Sequence, residues 1–211
     1  GVGPGGGGAG GGVQKVAWDG TVVWDFRYNT NGNLSHHDIK SLPNGNVLLI
    51  AWETKTRTEA IYAGRNPSYA ANDELWPLHV IEVQPTGPTS GEIVWEWHVW
   101  DHLIQDYDAS KENYGVVADH PELVDINYGI DEMSMVDWLH TNSIEYNEQF
   151  DQIMLSVHNF SEVRKYTSDT VILAFLTPIG VVPWELEHIH PVQQCIFSKE
   201  TDVETLITTQ N

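Results

Sequence analysis

Gly20-Thr-Val-Val-Trp24-Asp-Phe26, Gly91-Glu-Ile-Val-Trp95-Glu-Trp97 and Gly180-Val-Val-Pro-Trp184-Glu-Leu186 are three copies of one phrase. Each sets a glycine before apolar residues, a tryptophan four positions on, then an acid and an apolar residue. A recurring turn-plus-strand phrase is the mark of a stacked or toroidal β architecture. Around the first copy, Val13-Gln-Lys-Val-Ala-Trp18 alternates, Asp19-Gly20 supplies a hairpin turn, and Thr21–Phe26 forms the return strand. Around the second, Leu78–Val83 and Glu92–Trp97 make a hairpin about the loop Pro85–Gly91.

The same reading extends along the chain. His36–Ser41 is a strand, Pro43-Asn44-Gly45 a turn, and Asn46-Val-Leu-Leu-Ile-Ala-Trp52 a buried strand. Ile153–Val157, Glu162–Tyr166 and Val171–Phe175 continue the pattern. The phrases start 71 and 89 residues apart. Two long interruptions, 54–76 and about 98–136, account for the excess over blade length. Within the second, His102–Asp106 and Glu122–Ile126 are candidates for single helical turns. The expected fold is therefore all-β: a β-propeller, present as an incomplete set of about three four-stranded blades. Residues 1–12, nearly all glycine, read as a flexible tail, and 13–211 as the propeller fragment.

Composition excludes several functions. Thirty acids against ten bases give a net charge of −20, which argues against nucleic-acid binding. No apolar run reaches the length of a membrane-spanning helix. A single cysteine, Cys195, rules out an internal disulfide and reads as a buried small hydrophobe. The chain begins at Gly1 and reads as an internal or processed piece. Hydrophobic content of 41% and nine tryptophans mark it as globular.

Ten histidines raise the question of a metal. His188-Ile-His190 places two rings on one strand face but lacks a third ligand, so no metal or other cofactor is expected. Two segments are more specific. One is His36-His37-Asp38-Ile39 leading into Leu42-Pro-Asn-Gly-Asn-Val-Leu48. The other is Asp137-Trp138-Leu139-His140-Thr141-Asn142-Ser143-Ile144, leading to Ile153-Met-Leu-Ser-Val-His158-Asn159. Each puts a histidine on the strand that begins a unit, which in a propeller lines the central channel. His140 and Asn142, two apart, share a face of a regular strand. Imidazole and amide together suit an anionic oxygen, or a phenolic oxygen about to lose its proton. The alternative is that they plug the channel and bond to backbone.

These segments, in this order and with Gly91–Trp97 and Asp101-His-Leu103 between them, resemble the aryl-sulfate sulfotransferase (arylsulfotransferase) family over residues 13–165; residues 166–211 diverge. The resemblance implies a six-bladed β-propeller that moves a sulfuryl group from a phenolic sulfate ester to another phenol through a sulfo-histidine. It also implies small-molecule partners, no nucleotide donor, and an extracellular or periplasmic setting. His140 and Asn142 match the family's His-x-Asn pair. One of His36 and His37 matches an earlier-blade histidine, His36 being preferred because His36-x-Asp38 parallels His140-x-Asn142. His158 falls where the family has an arginine, and Asp38, His158 and Trp138 are assigned to substrate. The nucleophilic histidine belongs to a later blade, for which His188 and His190 are the late candidates. Two other readings stand beside this one. One is a non-enzymatic propeller module for an anionic or carbohydrate ligand, and the other a calcium-dependent adhesion piece using the Asp-rich segment 101–137.

Overall fold

A computed structural model describes residues 4, 7–29, 32–70, 73–128, 136–160, 162–167, 171–174 and 206–209. The third tryptophan phrase with Pro183, and His188, His190 and Cys195, lie outside these residues. Among the described residues the chain is β apart from one six-residue helix and three short 3-10 turns.

Two four-stranded antiparallel meanders carry the fold. Blade A has the order β3 (Asn33–Ser41), β4 (Val47–Glu53), β7 (Leu78–Gly87) and β8 (Ser90–His98). Blade B has the order β11 (Thr141–Asn147), β12 (Gln152–Val157), β13 (Glu162–Thr167) and β14 (Val171–Ala174). Up-and-down sheets of four strands are the blade unit of a propeller. Among the described residues a further sheet of three strands places β1 (Gly12–Val16) between β2 (Val22–Arg27) and β15 (Leu206–Thr209). Its outer strand comes from the far end of the chain, a pairing that no local pattern encodes.

The run Val47–Glu53 is buried at every position because β4 is an interior strand covered on both faces. Leu48 and Ile50 join Leu78, Val80, Ile144, Leu155 and Val157 in the core towards blade B. Val47 and Leu49 join Ile81, Val83, Val13 and Trp24 in a second core towards β1 and β2. Burying a side chain of this size stabilises by about 1.5–3 kcal/mol, so these two layers dominate the hydrophobic gain.

The repeated phrase works by docking one copy on the next. The Trp24 indole is buried and donates from Nε1 to the Ser90 carbonyl (3.0 Å), just before the second copy. Asp25 N–H donates to the Pro88 carbonyl (2.9 Å). The two glycines serve different ends. Gly20 has φ 87°, the left-handed turn expected of it. Gly91 is needed for space: a Cβ there would overlap the Val83 side chain and press on the Phe26 ring.

The two interruptions fold against each other. Residues 54–76 hold β5 (Lys55–Thr56), α1 (Arg57–Tyr62) and β6 (Glu74–Leu75). A capping box starts α1: the Thr56 hydroxyl accepts from Glu59 N–H, and Glu59 accepts from Thr56 N–H. Thr56-x-x-Glu59 is legible in the sequence, yet the short, half-apolar helix leaves too little periodicity to be seen. In the second interruption the helical turns expected at His102–Asp106 and Glu122–Ile126 are replaced. A parallel pair forms instead, β9 (Leu103–Ile104) with β10 (Val124–Asp125), flanked by 3-10 turns at Val99–His102 and Val117–Asp119. The apolar pairs Leu103-Ile104 and Val124-Ile126 are buried, and burial in a small sheet overrides local helix preference. Buried Arg65 ties the interruptions together by donating to the Ile126 carbonyl (2.8 Å), while Asn127 exchanges bonds with Asn66 N–H and the Gly64 carbonyl.

Candidate functional site

The first strands of the two blades, β3 and β11, lie side by side, and both are irregular where their histidines sit. Opposite Ile50 of β4, β3 places three residues, His36, His37 and Asp38, where a regular ladder places one. His37 adopts φ 51°, left-handed geometry that costs a non-glycine residue about 1–2 kcal/mol. In blade B, the ladder of β11 with β12 skips Asn142, and His140, just before the strand, has φ 45°. His140 and Asn142 therefore do not alternate along a regular strand as their spacing suggests. The bulge and the left-handed residue re-aim both side chains. Backbone held in this way is concentrated at functional sites.

Blade B's contribution is built on Asp137. One of its oxygens, Oδ1, accepts from the Trp52 indole of blade A (2.8 Å) and from His140 N–H (3.2 Å). The other, Oδ2, accepts a hydrogen bond from His140 Nδ1–H. With Nδ1 held, Nε2 is the free end of the His140 ring: an acceptor in the neutral imidazole, a donor in the imidazolium. Asn159 fastens the same loop, its amide donating to the carbonyls of Asp137 (2.9 Å) and Trp138 (3.3 Å).

The rings form a continuous array across the blade seam. His36 stacks on Trp52 with centroids 3.9 Å apart and planes at 11°. The Nδ1 atoms of His36 and His37 are 2.9 Å apart, so one donates and the other accepts. His37 meets His140 edge-on at 4.7 Å, and His140 meets His158 at 5.4 Å. His158 is exposed, and its Nδ1 bonds the Asn159 side chain (2.9 Å). Burial, reinforced by His37, His140 and His79, holds the His36 pKa well below the ordinary imidazole value. Burial and then His140 also lower that of His37. Both rings are thus kept neutral. His36 Nε2 is buried without a hydrogen-bond partner in the protein.

His36, His37, His140 and His158 meet at this seam, and Asn142 occupies its bulge. Asp38 and Trp138 make structural contacts. Asp38 bolts the blades together, accepting Ile39 N–H (2.9 Å) and, across the seam, Ile144 N–H (3.0 Å). Trp138 is a core residue: buried, donating from Nε1 to the Tyr128 carbonyl (3.2 Å), and packed between Phe160 and the Arg65 guanidinium. The reading from sequence assigned no role to Asp137, Trp52 or Asn159. An acid three positions before a histidine was the available signal for Asp137. Nothing in one strand's sequence signals Trp52, whose bond crosses between blades.

A second polar group lies on the opposite face of blade A, towards β2. The Tyr28 hydroxyl bonds His79 Nε2 (2.9 Å), His79 stacks on His98 (4.9 Å, 4°), and His98 pairs with Glu53 (3.3 Å), which also pairs with Lys55 (2.8 Å). Burial and then His98 push His79 down to about 4, so it stays a neutral acceptor for the Tyr28 hydroxyl. Burial, with Glu96 and Glu53 nearby, pushes Tyr28 up to about 12.

Among the described residues no group of three or more His, Cys, Asp and Glu is placed to hold a metal ion, and no helix is long and apolar enough to cross a membrane. The family model for arylsulfotransferase (ASST) matches residues 10–178, which takes in both blades and all four seam histidines. No curated protein matches the chain.

Proposed function

The chain belongs to the arylsulfotransferase (ASST) family, and from that premise we propose that the histidine seam between blades A and B transfers a sulfuryl group from an aryl sulfate to a phenol. The observation that carries the reading is the grip of Asp137 on His140 Nδ1. A carboxylate that fixes one ring nitrogen orients the other for proton transfer, the usual arrangement of a histidine acid–base catalyst.

In this mechanism His140 enters as the imidazolium, and a neutral imidazole nitrogen of a further histidine outside the seam attacks sulfur as the bond from sulfur to the aryl oxygen breaks. The phenolate leaves, taking the Nε2 proton of the His140 imidazolium, which becomes the neutral ring, and a sulfo-histidine remains on the attacking residue. The acceptor phenol then gives its proton back to His140 as its oxygen attacks sulfur and the N–S bond breaks. His37 and His158 lie on either side of His140, where negative charge gathers on the sulfate oxygens; His158, whose Nδ1–H goes to Asn159 Oδ1, donates to them from Nε2 only as the imidazolium. His36 stacks behind on Trp52 and keeps the His37 ring in place. The attacking ring must be neutral, because imidazole is nucleophilic only unprotonated, whereas His140 must begin protonated to supply the leaving phenolate.

Purified protein mixed with a chromogenic aryl sulfate is expected to release phenolate faster when a phenol acceptor is added. His140→Ala is expected to lower that rate by about 10²–10⁴-fold, the range of a lost acid–base group. Sulfate-ester binding by a folded protein that never turns over, with no acid-labile sulfo-histidine, would replace the transferase reading with that of an anion-binding module.

A further inference from the structure

The left-handed turn at His37 is held from outside the blades. Residues 7–12, read from sequence as part of a flexible tail, run along β3. His37 N–H donates to the Gly8 carbonyl (2.7 Å), Ala9 bridges His36, and the N–H groups of Gly10 and Gly11 both reach the Ser35 carbonyl (2.9 Å each). Gly11 in turn accepts from Tyr28 N–H (2.9 Å). The contact closest to the chemistry is at Gly8. Its backbone is left-handed, φ 81°, and a Cβ built on it would overlap the Cε1, Nε2 and Nδ1 atoms of the His37 ring. The imidazole therefore lies directly on the Gly8 backbone, in space that any side chain at position 8 would fill. Gly7 differs: a Cβ there meets nothing within 4 Å.

We infer that Gly8 is a positioning residue for His37, its bare backbone forming the shelf that aims the imidazole at His140 and keeps it bonded to His36. This rests on the seam being the transfer site. The physical case is steric. With the ring seated, His37 Nδ1 lies 2.9 Å from His36 Nδ1 and the ring lies 4.7 Å from His140. A methyl group on Gly8 must displace either the ring or the strap, and both remove the shelf. Gly7, Gly11 and Gly12 do not share this role, for a Cβ on any of them meets no atom of His37 among its nearest neighbours.

The test compares Gly8→Ala with two controls. Gly7→Ala alters the same strap without reaching the ring. Gly20→Ala carries a similar left-handed penalty (φ 87°) far from any contact. The His37 Cε1–H resonance, assigned by its loss in His37→Gln, is titrated in each protein. In the parent its midpoint is expected below the ordinary value, through burial, His140 and His158 acting against Asp137 and Asp38. Gly8→Ala is expected to raise that midpoint towards the ordinary imidazole value, shift the His140 resonance, and lower kcat/KM about a hundredfold, the cost of a misplacement of about 1 Å. Both controls are expected to keep the parent midpoint. An unchanged His37 midpoint in Gly8→Ala, or an equal change in Gly7→Ala, overturns the assignment. If no variant turns over aryl sulfate while the His37 midpoint still responds to Gly8 alone, the shelf stands and the transferase reading falls.

Discussion

Asp137 accounts for most of what makes His140 special. It takes three N–H groups, one from another blade, and so fixes both the loop and the imidazole it presents. Asp137→Asn preserves shape but offers an amide N–H where a carboxylate oxygen stood, and so favours the wrong tautomer of His140. Sulfuryl transfer is expected to drop by about a hundredfold or more, with little change in thermal stability, since the Asn Oδ1 still accepts from the buried Trp52 indole and the exchange falls at the partly exposed His140 ring. Assaying the chromogenic ester alongside a melting curve checks both halves; a large stability loss with normal turnover would mark Asp137 as a structural residue only. The residue scale is also where sequence reading was weakest. The four histidines named from sequence come together at one seam, while Asp38 joins two strands and Trp138 fills the core. A side chain's role depends on which group faces it, and that partner is often remote in sequence: Ile144 for Asp38, Phe160 and Arg65 for Trp138.

At the scale of elements, the glycine-to-tryptophan phrase is a docking device between consecutive hairpins. Gly91 lets β8 approach Val83 and Phe26, and the Trp24 ring closes the same contact from the other side. Gly91→Ala is expected to destabilise by about 1–3 kcal/mol through overpacking. Trp24→Ala is expected to cost about 3–5 kcal/mol through the cavity it leaves and the lost indole bond. Denaturant unfolding of the two variants provides the comparison; equal, near-zero effects would show that the phrase marks turns without bearing on packing. Most elements were readable because their signals are local. Asn44-Gly45 closes β3 onto β4, alternation frames β1, and an unbroken apolar run gives β4. The bulges at His36–Asp38 and Asn142 were not readable. A bulge is a mismatch between two strands, and neither strand alone records it.

At the scale of the molecule, the buried imidazoles set a pH dependence of folding. His79 has a folded pKa of about 4, against an ordinary 6.5 in the unfolded chain. Unfolding then takes up a proton as pH falls through this window, so stability is lost between about 6.5 and 4. At 1.36 kcal/mol per pH unit the full loss from His79 is on the order of 3 kcal/mol. His36, also depressed by burial, adds in the same direction. His98 opposes them, because its bond to Glu53 raises its pKa and its contribution is lost only as pH rises through that value. The melting temperature is therefore expected to fall from neutral pH towards pH 4. His79→Gln, which does not titrate and still accepts from Tyr28, is expected to flatten part of the slope. A parent protein whose melting point is level over that range would mean the cluster is hydrated or charged in solution.

What the sequence determined by itself is what short-range physics controls: where strands run, where turns reverse them, that the chain is all-β and built of repeated hairpin units, and that it carries a family's ordered motifs. What only the tertiary structure decided is which groups meet. His36 and His140 are 104 positions apart, and they converge because β3 and β11 both begin blades and lie side by side. The shelf at Gly8, the bridge from Trp52 to Asp137 and the strand lent by Leu206–Thr209 are also contacts between distant segments. Strand pairing satisfies backbone groups wherever a partner edge is available, and burial rewards whichever surfaces fit. Neither quantity belongs to any one stretch of chain, so the site exists only once the blades have packed.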